Sequence, residues 1–264
     1  SGAYTSSGNL VGYYKMDDGT GNTTIDASGN TNTATLTNMD SSTDWVTGYP
    51  VSQNYALDFD GVDDYVATAN NVSALDISAD ISIENWVYIS QNASDWTRII
   101  GKGEGGSRTY GVWLDTNNRL LFQMYGPSSA NLYPDIQLEN NKWYHIAATR
   151  EGNLLTLYID GVKIGELPYT GTPYTGNEPL TIGYGPGMHT YFTGKLDEVR
   201  IWNIARTQTE IQANMHTELL GTESGLIAYY KMSNGSGTVL TDNSSNANTG
   251  TLTNMDSSTD WVTG

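Results

Sequence analysis

The chain has 264 residues, no cysteine, and 29 acidic against 12 basic side chains, which gives a formal net charge of −17. This charge argues against nucleic acid and anionic membrane as partners, and no apolar run is long enough for membrane insertion. Without disulfides, stability outside a cell has to come from packing or bound metal. Residues 1–9 lack the basic and apolar regions of a signal peptide, so we interpret them as a linker or an edge left by cloning.

Short runs in which apolar and polar residues alternate recur along the chain, and Asn, Asp, Gly and Ser separate them. A period of two predicts β-strands. The runs cover residues 10–16, 55–59, 81–89, 98–102, 110–114, 119–125, 143–150, 154–159, 180–184 and 192–202. Hairpin turns are predicted at 115–118 and 151–153, and Asp160 and Gly161 tolerate the positive φ of a tight third turn.

One helix is predicted near the C-terminal end. Thr207 and Glu210 have the spacing of a capping box, and Gly221 is placed to end the helix. Between them an apolar stripe recurs at intervals of four, formed by Ile211, Met215 and Leu219. Regular strands with this single helix predict an all-β fold, a two-sheet antiparallel jelly-roll sandwich with one short C-terminal helix.

A segment occurs twice in the chain without a gap. Leu10 aligns with Leu226, an offset of 216 residues, and 26 of the 39 positions from 10–48 to 226–264 are identical. Repetition at the length of a domain predicts a tandem array. We therefore predict a jelly roll over 10–224 and the start of the next tandem unit over 225–264, either docked by its strand or truncated.

Two expectations follow from this assignment. In the first copy, residues 10–16 should form a paired sheet strand. In the second copy, 226–232 should dock on the preceding unit beside the helix, because an exposed apolar edge strand is an aggregation hazard, while 251–264 should be held loosely.

Three motifs resemble a known family. They are FDGVDDYV at 59–66, WYHIAATREGNLLTLYIDGVKIG at 143–165 and GKLDEVRIWN at 194–203. Together they resemble the laminin-G-like jelly roll of the concanavalin A-like lectin/glucanase superfamily, over about residues 10–220. That superfamily contains carbohydrate-binding, adhesion and protein-binding modules as well as glucanases, so the resemblance implies the fold and leaves the function open.

The densest acidic cluster contains Asp58, Asp60, Asp63 and Asp64. Its spacing is not that of an EF-hand. Laminin-G-like domains that bind calcium commonly do so at the rim of the sandwich, so the resemblance implies that this loop and Asp197 supply carboxylates to a structural Ca²⁺. The alternative is a turn whose carboxylates cap backbone N–H groups.

Aromatic residues in loops are candidates for ligand binding, because sugar rings stack on aromatic planes while polar neighbours bind hydroxyls. Three loops supply the candidates, which are Trp96, Tyr125, Asn131, Tyr133, Tyr184, His189 and Tyr191. We expect Trp96, Tyr133 and Tyr191 to converge on a shallow platform. The alternative is that these rings pack along the sheets.

Catalysis is not predicted. A glycosidase needs two carboxylates at a defined separation, whereas Asp197 and Glu198 are adjacent on a strand and therefore point to opposite faces. His145 stands on a strand without a catalytic partner nearby, and we interpret it as structural.

The sequence predicts a non-catalytic, calcium-stabilised carbohydrate-binding or adhesion module of a secreted or cell-surface repeat protein of a bacterium. Its expected partners are a carbohydrate or glycosylated surface and neighbouring copies of the same domain. A structural spacer of an adhesin fibre, an accessory module of a polysaccharide-degrading enzyme and a glucanase remain as alternatives.

Overall fold

A computed structural model describes residues 11–14, 20–26, 28, 30–40, 43, 55–187 and 190–264. The chain divides into two compact units, Ser1–Asn54 and Tyr55–Gly264. This division differs from the predicted limits of 10–224 and 225–264. The second copy of the repeat belongs to the large unit, whereas the first copy belongs to the small one.

The small unit contains a short antiparallel ribbon, in which β1 (Thr23–Thr24) pairs with β2 (Ala34–Thr35). Tyr14 forms an isolated bridge with Asp26 in the same unit. Of the predicted strand 10–16, residues 10, 15 and 16 lie outside the described residues. In its described part only that bridge is present, so the expected paired strand is not observed there.

The large unit consists mainly of β-strands joined by short turns. The strands are β3 (Tyr55–Asp60), β4 (Tyr65–Thr68), β5 (Ile81–Ile89), β6 (Thr97–Lys102), β7 (Tyr110–Leu114), β8 (Leu120–Met124), β9 (Ala130–Leu132), β10 (Trp143–Glu151), β11 (Leu154–Ile159), β12 (Val162–Pro168), β13 (Leu180–Ile182), β14 (Tyr184–Gly185), β15 (Thr190–Tyr191), β16 (Thr193–Trp202), β17 (Leu226–Tyr230), β18 (Val239–Leu240), β19 (Gly250–Thr253) and β20 (Trp261–Thr263). The described residues contain one α-helix, α1 (Gln208–Asn214).

Two large antiparallel sheets form the sandwich. Sheet I has the order β12-β11-β10-β5-β16-β3-β20, and β17 also pairs with β16. Sheet II has the order β18-β19-β4-β13-β6-β7-β8-β9. The strands β14 and β15 form a separate hairpin. The predicted all-β jelly-roll sandwich with one short helix is confirmed.

Alternation along β10 shows how the sequence forms the core. Tyr144, Ile146 and Ala148 belong to the main apolar cluster between the sheets. Ala147, on the opposite face, packs in a smaller cluster that includes Ile211 of α1. The two faces of sheet I therefore bury different partners, as the period of two predicts.

The helix begins as predicted and ends earlier. Thr207 and Glu210 form the reciprocal capping box. The expected helix to residue 219 stops at Asn214, and side chains satisfy the carbonyls that follow. Arg200 donates to the carbonyls of Asn214 and Thr217 at 2.9 and 2.7 Å. These bonds replace a further helical turn.

The second copy of the repeat completes both sheets. Its first strand, β17, pairs with β16 within the large unit. The expectation that 251–264 is loosely held is wrong, because β19 pairs with β4 and β20 pairs with β3. Trp261, Leu252 and Met255 from this stretch are 5 to 7% exposed and join the main core. Their burial explains why the segment is ordered.

Candidate functional site

The outer face of sheet II carries a pocket of about 340 Å³. Side chains of β8 that point away from the core form part of the pocket floor. Phe122 on β8 belongs to the core between the sheets, whereas its neighbours Leu121 and Gln123 line the pocket. Across the sheet, Leu121 pairs with Trp113 and Gln123 pairs with Asn131. The complete lining is Trp96, Arg108, Trp113, Leu121, Gln123, Asn131 and Tyr133.

Trp113 is held in place from several sides. A Cβ atom on Gly111 would lie 2.6 Å from the Nε1 atom of Trp113, so the absence of a side chain at 111 leaves room for the indole. The guanidinium carbons of Arg98 and Arg108 lie 4.6 and 5.5 Å from the centre of the Trp113 ring, within the range of cation–π attraction. The indole therefore has little freedom to turn.

Trp96 and Tyr133 contribute the more exposed rings of the pocket. Their ring centroids are 5.3 Å apart, with 56° between the planes. The Tyr133 hydroxyl donates to an oxygen of Asp115, and Arg119 lies over the ring at 4.8 Å. Burial raises the pKa of Asp115, but hydrogen bonds from Tyr133 and Arg119 outweigh burial and lower it to about 2. Asp115 is thus a charged anchor for Tyr133.

Hydrogen-bond donors predominate at this pocket. The Nε1 atom of Trp113 and the Nε atom of Arg108 are buried without a hydrogen-bond partner in the described part of the chain. Arg108 and the fully buried Arg98 have no ion pair with any described carboxylate. Of these two arginines, only Arg108 lines the pocket.

The predicted ligand residues separate into groups. Trp96, Asn131 and Tyr133 line the pocket. Tyr125 does not, and instead packs under Arg108 at 4.4 Å. His189 lies outside the described residues.

Tyr184 and Tyr191 form a separate stack. Their ring centroids are 4.7 Å apart, and Tyr65 packs on both. Tyr191 therefore does not share the pocket with Trp96 and Tyr133, and the expected three-residue platform is reduced to two of its members. The hairpin is nevertheless attached to the pocket, since Thr190 donates to the Trp96 carbonyl at 2.7 Å.

Sequence reasoning missed the floor of the pocket. The candidates predicted from sequence come from three loops, whereas the floor consists of residues in or beside strands: Trp113, Leu121, Gln123 and Arg108. The alternation around Phe122 was a usable signal. It placed Leu121 and Gln123 on the face opposite to the core.

The acidic loop after β3 brings three carboxylates together. One oxygen from each of Asp60, Asp63 and Asp64 lies within 4.8 Å of the others. Asp60 also accepts the N–H of Val62 at 2.7 Å, and Asp64 accepts the N–H of Asp60 at 3.0 Å. Burial, followed by the neighbouring charge of Asp60, raises the pKa of Asp64 to about 6. The cluster thus combines the capping role of a turn with unneutralised negative charge.

The other two acids proposed for this site lie elsewhere. Asp58 is not in the three-carboxylate group, and it pairs across the ladder with Lys195. Asp197 lies on β16, opposite Trp86 of β5. Thr193, the residue of β16 that pairs with Asp60, is four residues earlier in the strand. Four residues of strand span about 13 Å, so Asp197 is too distant to share an ion with Asp60.

Asp260 from the second copy of the repeat was missed as a neighbour of the acidic loop. Its negative charge raises the pKa of both Asp58 and Asp64, although burial is the larger cause for each. Its backbone carbonyl also accepts the N–H of Asp58 at 2.8 Å. The loop therefore lies against a segment that the sequence had assigned to another domain.

Asp197 and Glu198 are not arranged as a catalytic pair. Asp197 is 6% exposed and accepts the N–H of Glu198 at 2.8 Å. Glu198 is held by Arg200 and by the hydroxyl of Tyr229. Burial, followed by the charge of Glu198, raises the pKa of Asp197 to about 8.

His145 is also enclosed. It is 1% exposed, and its Nε2 atom lies 3.7 Å from an oxygen of the fully buried Glu84. Burial, followed by the charge of Arg200, lowers the pKa of His145 to about 3. The imidazole is neutral at physiological pH and has little access to a substrate.

The chain belongs to the concanavalin A-like lectin/glucanases superfamily, through a laminin-G family profile that matches residues 60–212. Its fold resembles that of a candidate carbohydrate binding protein from Bacteroides ovatus ATCC 8483. The TM-score is 0.62 at 20% identity, over 88% of this chain and 68% of the other.

Curated relatives match part of the chain. Mouse pappalysin-1 is 31% identical over 85 residues, which is 31% of this chain and 5% of that protein. Adhesion G-protein coupled receptor V1 of Danio rerio is 24% identical over 168 residues, 58% of this chain and 3% of that receptor. The chain thus spans a small fraction of both relatives. In the part of the chain that the structure describes, no helix has both the length and the apolar character that are needed to cross a bilayer.

Proposed function

We propose that residues 55–264 form a non-catalytic carbohydrate-binding module whose ligand occupies the pocket on sheet II. One observation carries this proposal. The pocket combines the aromatic residues Trp96, Trp113 and Tyr133 with the donor side chains of Arg108 and Asn131. Aromatic faces stack on the C–H face of a sugar ring, while directed donors bind its oxygen atoms. The Bacteroides ovatus protein of the same fold, described as a candidate carbohydrate binder, motivates the same assignment.

The excess of donors narrows the expected ligand. Trp113 and Arg108 line the pocket, and each has a donor atom without a described partner. Sugars rich in hydroxyl or carboxylate oxygen would satisfy these groups, whereas deoxy or methylated sugars would leave them unpaired. We therefore expect preference for heavily hydroxylated or acidic glycans.

The experiment is a glycan array followed by calorimetry with the best ligand. Trp96→Ala and Asn131→Ala should each weaken binding at least tenfold without lowering the melting temperature by more than a few degrees. Tyr174→Ala is the matched control, because Tyr174 is exposed and outside the pocket lining. Equal loss in all three variants, or no glycan bound by the unaltered chain, would favour the spacer alternative.

A structural calcium site is a second proposal, carried by the three carboxylates of Asp60, Asp63 and Asp64. Calcium holds oxygen ligands at about 2.3–2.6 Å, so two ligands of one ion are at most about 5 Å apart. The observed separations, within 4.8 Å, fit one shared ion. Backbone carbonyls and water would have to complete its shell.

A secreted or cell-surface location fits these assignments. Mouse pappalysin-1 and the adhesion receptor of Danio rerio, which each match part of the chain, are much longer proteins. The absence of cysteine leaves packing and a bound cation as sources of stability. We place the module in an adhesive or polysaccharide-degrading protein, where neighbouring copies of the domain and a glycosylated surface would be its partners.

A further inference from the structure

The described residues of the first copy fold like their counterparts in the second copy, although the two copies belong to different units. In the first copy, Asp26 accepts the backbone N–H groups of Tyr13, Ser28 and Asn32 at 2.9, 2.8 and 3.0 Å. In the second, Asp242 accepts those of its three counterparts, each 216 residues further on, at 2.8, 2.8 and 2.6 Å: Tyr229, Ser244 and Asn248.

The backbone agrees as well. Thr23 pairs with Thr35 in the first copy, and Val239 pairs with Thr251 in the second. Positive φ angles recur at equivalent positions, such as 58° at Asn38 and 61° at Asn254. In its described residues, the first copy therefore has the local conformation with which the second copy is built into the sandwich.

The second copy occupies a defined edge of the sandwich, which we call the completion edge. It consists of the pairing positions on β16, β3 and β4, which accept β17, β20 and β19 respectively. Tyr230, Leu252 and Met255 of the second copy are 0, 6 and 7% exposed there.

The equivalent residues of the first copy are more exposed. Met39, the counterpart of Met255, is 46% exposed. Tyr14 and Leu36, the counterparts of Tyr230 and Leu252, are half-buried. The first copy thus keeps these three side chains, in a unit that buries them less completely.

The first copy is also connected suitably for the same edge. In the second copy, Thr263 lies opposite Tyr55 at the start of β3. If Thr47 took the place of Thr263, the seven residues 48–54 would join it to Tyr55. Hairpin connections need only about two to five residues, so this link is long enough.

We propose that the completion edge accepts either copy, so that residues 10–48 can replace 226–264 in a permuted jelly roll. Three differences favour the second copy when both are intact. Thr24 replaces the fully buried Leu240, Gly12 replaces the fully buried Ala228, and Ala34 replaces Gly250, where a Cβ atom would lie 2.6 Å from Val66. The first copy is therefore the weaker occupant of the completion edge. It binds there when substitutions weaken the second copy or when the second copy is paired with another domain. In a chain with further copies, each segment could complete the jelly roll before it or the one after it.

The test is disulfide trapping in the full chain, which has no native thiol. Thr251 pairs with Ala67 on β4, so Thr251→Cys with Ala67→Cys reports the second copy. Thr35 is the equivalent of Thr251, so Thr35→Cys with Ala67→Cys reports the first. The control pair is Thr35→Cys with Lys163→Cys, because Lys163 lies on β12 at the far edge of sheet I.

We expect the 251–67 disulfide to form in the otherwise unaltered chain. Adding Tyr230→Ala and Trp261→Ala to the 35–67 pair should raise the 35–67 disulfide at least tenfold above the 35–163 control. A monomeric product would show exchange within one chain, and a dimeric product exchange between two. A 35–67 yield no greater than the control in that background would overturn the proposal, whether or not the variant remains folded.

A double variant gives an independent readout. Asp26→Ala alone should leave the melting temperature of the large unit unchanged, since the second copy occupies the edge. Added to the Tyr230→Ala and Trp261→Ala background, it should lower the remaining transition further, because the replacement segment is damaged too. Purely additive effects would contradict exchange.

Discussion

The guanidinium carbon of Arg98 lies 4.6 Å from the centre of the Trp113 ring, and Arg98 itself is fully buried. Its Nη1 atom donates to the Gly103 carbonyl at 2.8 Å and to Thr181 at 3.2 Å. A buried charge needs such partners to offset its lost hydration. Arg98 thereby connects the floor of the pocket to the next strands, and the geometry of Trp113 depends on that connection.

Gly111→Ala should weaken glycan binding at least tenfold. The new methyl group would lie 2.6 Å from the Nε1 atom of Trp113, so the indole would have to move out of the pocket floor. Calorimetry with the best array ligand measures the change. Gly106→Ala is the control, because no atom lies within 4 Å of its added Cβ. Unaltered affinity in Gly111→Ala would remove Trp113 from the site.

Calcium should raise the melting temperature of the chain. The three carboxylates of the acidic loop repel one another, and a shared cation would relieve that repulsion. Ligand at a hundredfold excess over Kd adds about 2.7 kcal/mol. Calorimetric scans in EDTA and in ~10 mM calcium test this, and Asp63→Asn should lose most of the gain while Asp95→Asn keeps it. Identical scans in both buffers would exclude the site.

The free energy of unfolding should fall as the solution becomes alkaline, because Asp197 then loses its proton. Its pKa is raised from 3.8 in the unfolded chain to about 8 in the folded one. The folded state thus holds its proton more tightly, and this contribution is present at acidic pH and lost as pH rises through about 8. The Asn side chain of Asp197→Asn stays neutral. The free energy of unfolding of this variant, relative to that of the natural chain, should therefore rise between pH 5 and pH 9.

One pKa unit corresponds to about 1.4 kcal/mol. The relative rise in the free energy of unfolding of Asp197→Asn should exceed that value. Urea denaturation at both pH values measures it. Asp135→Asn serves as control, because the Asp135 side chain is 91% exposed. A pH dependence that is the same in the natural chain and in Asp197→Asn would show that Asp197 is ionised in the folded state.

The chain should release no reducing ends from β-glucans. Asp197 is buried, and Glu198 is engaged by Arg200 and Tyr229, so neither carboxyl is free to protonate a leaving group. Assays of reducing sugar at pH 5 and pH 7 check this. Activity that Glu198→Gln abolishes would refute it.

The sequence predicted correctly those structural features that depend on a few neighbouring residues. The capping box of Thr207 and Glu210 and the turn at Asp160 and Gly161 depend on a few neighbouring residues, and both occur as expected, with φ angles of 49° and 70° in that turn. The alternation on β10 likewise separated the two faces of sheet I. Such features follow from the geometry of the backbone.

Long-range assembly was beyond those patterns. The two copies are identical at 26 of 39 positions and carry similar local signals, so those signals alone do not decide which copy fills the completion edge. The decision rests on contacts with distant residues, such as Gly250 beside Val66 and Leu240 in the core. The pocket floor depends on the same kind of contact, between Arg98 on β6 and Trp113 on β7.

The pairing of Thr263 with Tyr55 has a mechanical consequence. The strands β20 and β3 run antiparallel, so a pull applied at Thr263 and Tyr55 acts at the same end of the pair. Their hydrogen bonds lie across the strands and would then be loaded one after another. The sandwich would open from this edge like a zipper at low force, whereas strands pulled from opposite ends share the load and resist shear.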